Sequence, residues 1–162
     1  MPVAEAADQA PAQTTAPPPR AFEYSDSYRM RAKIHKISSF ATLPLFATEA
    51  ILGQSLYSDP TSGKKDAHLA VATGIGALFA VNSVTGVWNL IEARKDPNHR
   101  GRRLAHGLMM LGADVGFVAT AALGPENEEG SASGSRSTHR AVAFTSIGLA
   151  TASYLIMLFG AH

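Results

Sequence analysis

The sequence predicts an all-α membrane protein, a four-helix transmembrane bundle with both termini on the cytoplasmic side. Three observations carry this. Four apolar stretches of roughly 20 residues follow one another, which is the length of helix that crosses a hydrocarbon core. Those stretches hold almost no ionisable residues, and Lys and Arg concentrate in the segments of one side. The mean hydropathy of +0.02 conceals this, because it averages a polar leader with apolar spans.

The elements follow in order. Residues 1–32 are rich in Pro, Ala and charge, with "APAQTTAPPPR" at their centre. Such a segment has too little apolar surface to offset its ordering entropy, so a disordered tail is expected. No basic start precedes an apolar core there, so a secretory signal peptide is not expected. The transmembrane domain is placed at 33–162, with spans at about 33–57, 67–92, 103–124 and 139–161. Ile37–Tyr57 carries one acid, Glu49, and no Lys or Arg, and Pro44 should kink this span by removing a helix hydrogen bond. Ala67–Ile91 contains no Asp, Glu, Lys or Arg, Leu104–Pro125 contains only Asp114, and Ala141–Ala161 contains none. All four are rich in Ala, Gly, Ser and Thr, as closely packed membrane helices are.

Orientation follows from the cations. The segment before Ile37 and the loop "EARKDPNHRGRR" hold ten of the 14 Lys and Arg residues. The other side holds Lys64, Lys65, Arg136 and Arg140, and its second loop is acidic. Positive charge stays inside, so a multi-pass protein of a bacterial inner membrane with both termini cytoplasmic is expected.

Each span begins with a histidine: His35, His68, His106 and His139. Alternate helices run in opposite directions, so His35 and His106 fall near the cytoplasmic face and His68 and His139 near the other. Alternate helices of a four-helix bundle are diagonal neighbours. Two imidazoles facing across the core can take both axial positions of a haem iron, and two such pairs would hold two b-type haems. Arg31, Lys33 and Arg103 flank the first pair, and Lys65 and Arg140 the second. They are candidates to neutralise haem propionates or to serve as interfacial anchors. The interval from His35 to His106 equals that from His68 to His139, and "HLAVATGIGAL" aligns with "HRAVAFTSIGL" at the same offset. The pattern is that of a duplicated helix hairpin. His99 and His162 have no counterpart in it.

A four-helix core with one histidine per helix, paired one-with-three and two-with-four, resembles the cytochrome b561 family of transmembrane di-haem electron carriers. The resemblance covers roughly residues 30–161 and rests on His35, His106, His68 and His139. It implies two haems and electron transfer across the membrane. The extra helices and ascorbate site of the eukaryotic members have no counterpart in this sequence, and compact bacterial members distribute their ligands differently.

The function expected is therefore electron transfer by a membrane cytochrome b or the membrane subunit of an oxidoreductase. Its partners would be the bilayer, redox proteins on one or both faces, and a larger complex or homo-oligomer. Intramembrane acids are costly and frequently functional, so Glu49 and Asp114 are candidates for a proton or quinone site, or else for carboxyl groups held protonated or hydrogen-bonded to Ser, Thr or Asn on a neighbouring helix. Asn82 is a candidate partner for such an acid. Gly74, Gly76, Gly112, Gly116 and Gly148 could open space for porphyrin or for helix packing. The alternative from another class is a haem-free anchor, assembly subunit or small transporter using Glu49 and Asp114. A net charge of +1 gives no reason to expect nucleic acid, and the lack of cysteine removes disulfides, c-type haem attachment and thiolate metal sites. No nucleotide-binding loop, nucleophile constellation or zinc-protease spacing is present.

Overall fold

The computed structural model describes residues 22–124 and 134–160, and every regular element among them is helical. Helix α1 spans Asp26–Ser39, α2 Thr42–Ser58, α3 Ser62–Glu92, α4 Arg100–Ala122 and α5 Gly134–Phe159, with a 3-10 turn at Ala93–Lys95. Expectations for residues 1–21 and for the acidic loop at 125–133 lie outside the described residues.

Helix α1 starts at Asp26, inside the segment that composition assigns to the tail. The Ser25 side chain caps it by accepting from the Tyr28 amide at 3.1 Å, and Asp26 sits in the favourable first turn. Helices α1 and α2 are joined through Phe40–Ala41. There the Ala41 amide bonds Ser38 O at 3.1 Å in a tightened turn, and the Leu45 amide returns to α spacing on Ala41 O at 3.1 Å. Pro44 has no N–H for the Phe40 carbonyl, and the break falls at that residue. Thr61 caps α3 from its side chain at 3.3 Å. His99 takes the left-handed conformation, φ 53°, to turn the chain into α4.

Helices α3, α4 and α5 are each long and apolar enough to cross a membrane. Helix α2 has only 17 residues and follows α1 across the joint. Helices α1 and α2 pack on α3, α3 meets α4, α4 packs along α5, and α5 meets α2. The core between them is small: Phe46, Ile75, Phe79, Ala113 and Ala150. Phe46 and Phe79 form an aromatic cluster with Phe117, with ring centroids 5.7 Å apart for Phe46–Phe79, 5.6 Å for Phe46–Phe117 and 4.8 Å for Phe79–Phe117. Outward positions are apolar as well; Ile51, Val115 and Val118 are about 70% exposed, which suits hydrocarbon and not water.

The two ends of the helices are held differently. At one end Arg31 pairs with Glu92, the Ser25 hydroxyl and amide reach the same carboxylate, and the Tyr24 hydroxyl donates to Asp96. Arg103 donates to Asp96 Oδ2 at 3.2 Å and to Asp96 O at 2.7 Å. At the other end Arg136 and Arg140 stack on Tyr57 at 5.3 and 5.0 Å. Lys64 pairs with Asp59 at 2.8 Å.

A Cβ at Gly116 would lie 3.0 Å from Ser146 Cβ and closer still to its hydroxyl, whereas one at Gly74 would meet nothing within 4 Å. Gly116→Val should therefore cost about 1–3 kcal/mol through overpacking of α4 on α5, and Gly74→Ala should be close to neutral. Thermal melting in detergent distinguishes the two.

The extramembrane Asp96 gives a pH dependence. The Tyr24 hydroxyl, then the Asn98 amide and the Arg103 guanidinium, hold its carboxyl below the ordinary carboxylate range. A depressed acid contributes its full stabilisation above the unfolded value of about 3.9 and loses it as pH falls through the folded value. Hydrogen exchange at residues 24–30, corrected for intrinsic rate, should stay protected down to about pH 4 and open below it. Asp96→Asn should be open at neutral pH.

Candidate metal centres

The site is built from one stripe repeated on each helix. His35, His68, His106 and His139 each start a face that their seventh, eleventh and fourteenth successors share, since those steps return close to whole turns of about 3.6 residues. The seventh are Thr42, Ile75, Ala113 and Ser146, and the eleventh are Phe46, Phe79, Phe117 and Ala150. All but Phe117 are buried outright, and Phe117 packs against the core. The fourteenth are Glu49, Asn82, Thr120 and Ser153.

These fourteenth residues are the histidines' partners. His35 Nδ1 lies 3.1 Å from Asn82 O, His106 Nδ1 3.1 Å from Ser153 O, and His139 Nδ1 2.8 Å from Thr120 O. His68 Nδ1 lies 2.9 Å from Glu49 Oε1, a charge contact that is not aligned as a hydrogen bond. A carbonyl oxygen only accepts, so Nδ1 must carry the proton in the first three, and the lone pair is left on Nε2. A carboxylate so close to Nδ1 favours the same tautomer on His68. Hydroxyls reinforce two contacts: Thr85 Oγ1 at 3.1 Å from His35 Nδ1, and Ser153 Oγ at 2.9 Å from His106 Nδ1. Thr85 donates its own proton to Val81 O and Ser153 to His106 O, so both hydroxyls are acceptors toward the rings.

The structure brings His35 to His106 and His68 to His139. Ring centroids are 6.2 Å apart in both pairs, with ring planes at 86° and 70°. An imidazole nitrogen lies about 2.0 Å from a bound metal and about 1.1 Å from its own ring centroid, so two imidazoles on opposite sides of one ion have centroids about 6.2 Å apart. Each pair would offer a metal two imidazole nitrogens, and in three of the four rings the other nitrogen is already held by a backbone carbonyl, so the residues present fit an iron held by two histidines. Glycines make room for the rings: a Cβ at Gly86 would lie 3.1 Å from His35 Cε1, and one at Gly53 3.4 Å from His68 Cε1. Among the described residues no cluster of three or more His, Cys, Asp and Glu is present, so a site held by three or more of these side chains finds no support.

The flanking cations have settled partners. Arg31 bonds Glu92 and Asn89 and stacks on Trp88 at 5.4 Å, Arg103 is held by Asp96, and Arg140 lies over Tyr57 and Phe144. Lys65 has a contact of its own. Arg102 differs: its Nε and Nη1 are buried without an acceptor, one turn before His106 on the same face. In a basic run Arg102 and its neighbour Arg103 look identical, and only burial separates them. Asp114 accepts from the Ser83 hydroxyl at 2.5 Å, while the Asn82 side chain accepts from Ser38 at 2.5 Å, so Ser83 and not Asn82 is the partner of the acid. Among Gly74, Gly76, Gly112, Gly116 and Gly148, only Gly112 and Gly116 face a neighbouring helix within 4 Å.

The orienting roles of Asn82, Thr120 and Ser153 are not visible from residue type, because each works through its backbone carbonyl and side-chain identity carries no signal. Their positions do carry one: Asn82 and Ser153, like Glu49 and Thr120, are separated by the same interval as the paired histidines.

No family model matches this chain, and no curated protein or solved structure matches it either.

Proposed function

We propose that this chain is a membrane b-type cytochrome that carries electrons across the bilayer on two haems. One would be held by His35 and His106, the other by His68 and His139. The observation that supports this most is the pairing: four imidazoles in two pairs at 6.2 Å, three with Nδ1 hydrogen-bonded to a backbone carbonyl and the fourth with Nδ1 beside a carboxylate, so that Nε2 is left for a metal. Haem supplies one-electron chemistry when bound; the residues of this chain position it, exclude water and set its surroundings.

In this reading α1 and α2 together form the first of four spans, and the core is a duplicated hairpin. The basic end, with Arg31, Arg102 and Arg103, faces the cytoplasm. Arg102 is the residue best placed to meet a propionate of the haem at that end, because its donors are buried and unspent. The two ligand levels are separated by the interval from each histidine to its fourteenth successor, about 21 Å at a rise of about 1.5 Å per residue. That is somewhat less than the separation of about 25 Å that span lengths alone suggest. The rings of Phe46, Phe79 and Phe117 lie between the levels and exclude water from the path. With so little mass outside the membrane, electron donor and acceptor must dock on the exposed ends.

Purified from haem-sufficient cells, the protein should show reduced-minus-oxidised bands of low-spin b-type haem, at two haems per chain. His35→Ala and His106→Ala should remove the same haem, and His68→Ala and His139→Ala the other. His99→Ala should remove neither. A colourless protein would instead favour the haem-free anchor or transporter, and an effect of Asp114→Asn larger than that of any histidine change would favour the transporter.

A further inference from the structure

The four positions that orient the histidines are equivalent in place and unequal in chemistry. Asn82, Thr120 and Ser153 each present a neutral backbone carbonyl to an imidazole Nδ1–H. Glu49 presents a carboxylate to His68. Its side chain is 12% exposed, its Oε2 is buried without another partner, and its Oε1 lies 2.9 Å from His68 Nδ1 as a charge contact without hydrogen-bond alignment. Among the described residues the His68 ring is the charged or chargeable side chain this carboxylate meets.

We infer that Glu49 is a positioning residue that makes the two metal centres electronically unequal, with the His68–His139 centre the lower in potential. The inference rests on the haem reading above. A carboxylate acceptor draws the Nδ1 proton more strongly than a carbonyl does and raises the basicity of Nε2. A more basic axial nitrogen stabilises the oxidised, more positive iron over the reduced one. The extra negative charge nearby acts in the same direction, at a depth where water does not screen it. Among the described residues no carboxylate meets the ring of His35, His106 or His139. Electrons would then rest preferentially on the His35–His106 centre at the basic end, which gives the path a downhill direction.

The test is a potentiometric titration of the full chain, haem-loaded and in detergent, followed optically and by electron paramagnetic resonance. The wild-type protein should titrate in two waves, and the lower one should be missing from His68→Ala. Glu49→Gln keeps shape and hydrogen-bonding reach but not charge. It should raise the lower wave by about tenfold in its one-electron equilibrium, which is about 59 mV, and leave the upper wave in place. The resonance of only the low-potential haem should change. Glu49→Asp, which retains the carboxylate, should restore the low wave. Two coincident waves in the wild type, or a Glu49→Gln protein with both haems and an unmoved lower wave, would overturn the inference and leave the cytochrome reading intact. If Gln releases the haem, the Asp variant decides: a low wave supports Glu49, and one raised to the upper value rejects it. A preparation without haem rejects the cytochrome reading itself, and this inference with it.

Discussion

An imidazole N–H inside a bilayer has no water to donate to, and that single constraint organises the molecule. Three of the four rings donate to a backbone carbonyl on the neighbouring helix of their own hairpin, His35 on α3, His106 on α5 and His139 on α4, and His68 meets the Glu49 carboxylate of α2 at 2.9 Å without hydrogen-bond alignment. The arrangement is reciprocal, because Asn82, Thr120 and Ser153 are each the fourteenth successor of their own helix's histidine and so lie on the same face, and Glu49 holds the same interval from His35 across the α1–α2 joint. Two antiparallel helices that each hold the other's ring at both ends of that interval have one register. In the α4–α5 hairpin a slip of one residue would break both contacts and leave two donors unpaired, at about 1–3 kcal/mol each. The level separation and the position of the core between the levels follow from that register.

The remaining tertiary interactions are sorted by where they stand relative to this frame. At the basic end, carboxylates on the α3–α4 connection draw in Tyr24, Ser25, Arg31 and Arg103, tying the start of α1 to the start of α4. At the opposite end the ties are aromatic and cationic, with Tyr57 beneath Arg136 and Arg140. Individually such exposed pairs contribute little. Their role is to close the helix ends beyond the histidine levels, where water competes and a deep hydrogen bond is not required. Arg102 stands outside both networks, beside the end of α5 at Gly160, where a Cβ would lie 2.8 Å from Arg102 Cδ.

Much of this was legible in the sequence for a physical reason. Charge exclusion sustained over the width of a bilayer is a statement about solvent, so α3, α4 and α5 declare themselves, and Pro44 marks the joint of α1 with α2 because a missing N–H acts locally. The histidines declare themselves through parity. What was hidden is whatever works through the backbone. Asn82, Thr120 and Ser153 orient rings by carbonyls that any residue owns. Ser83 rather than Asn82 meets Asp114 because adjacent helical residues differ by about 100° in direction, which spacing alone does not resolve across two helices. The start of α1 at Asp26 was hidden for the opposite reason: its support comes from Glu92, at the far end of α3, and not from its own composition.

The repeated stripe is strict in position and loose in chemistry, and its departures are informative. At the eleventh place three helices carry Phe and the fourth carries Ala150, which is fully buried. Three rings already pack at 4.8 to 5.7 Å, so a fourth would overfill the layer. Ala150 is thus the small residue that lets the other three meet, and steric crowding on the bundle axis accounts for that break in symmetry. At the fourteenth place the departure is chemical: a carbonyl serves three rings, and a carboxylate stands beside the fourth. The carboxylate of Glu49 costs desolvation that a carbonyl does not. A charge kept at such a place, against a ring that a neutral group would have oriented as well, is better explained by its effect on the ring's electrons than by its contribution to the fold.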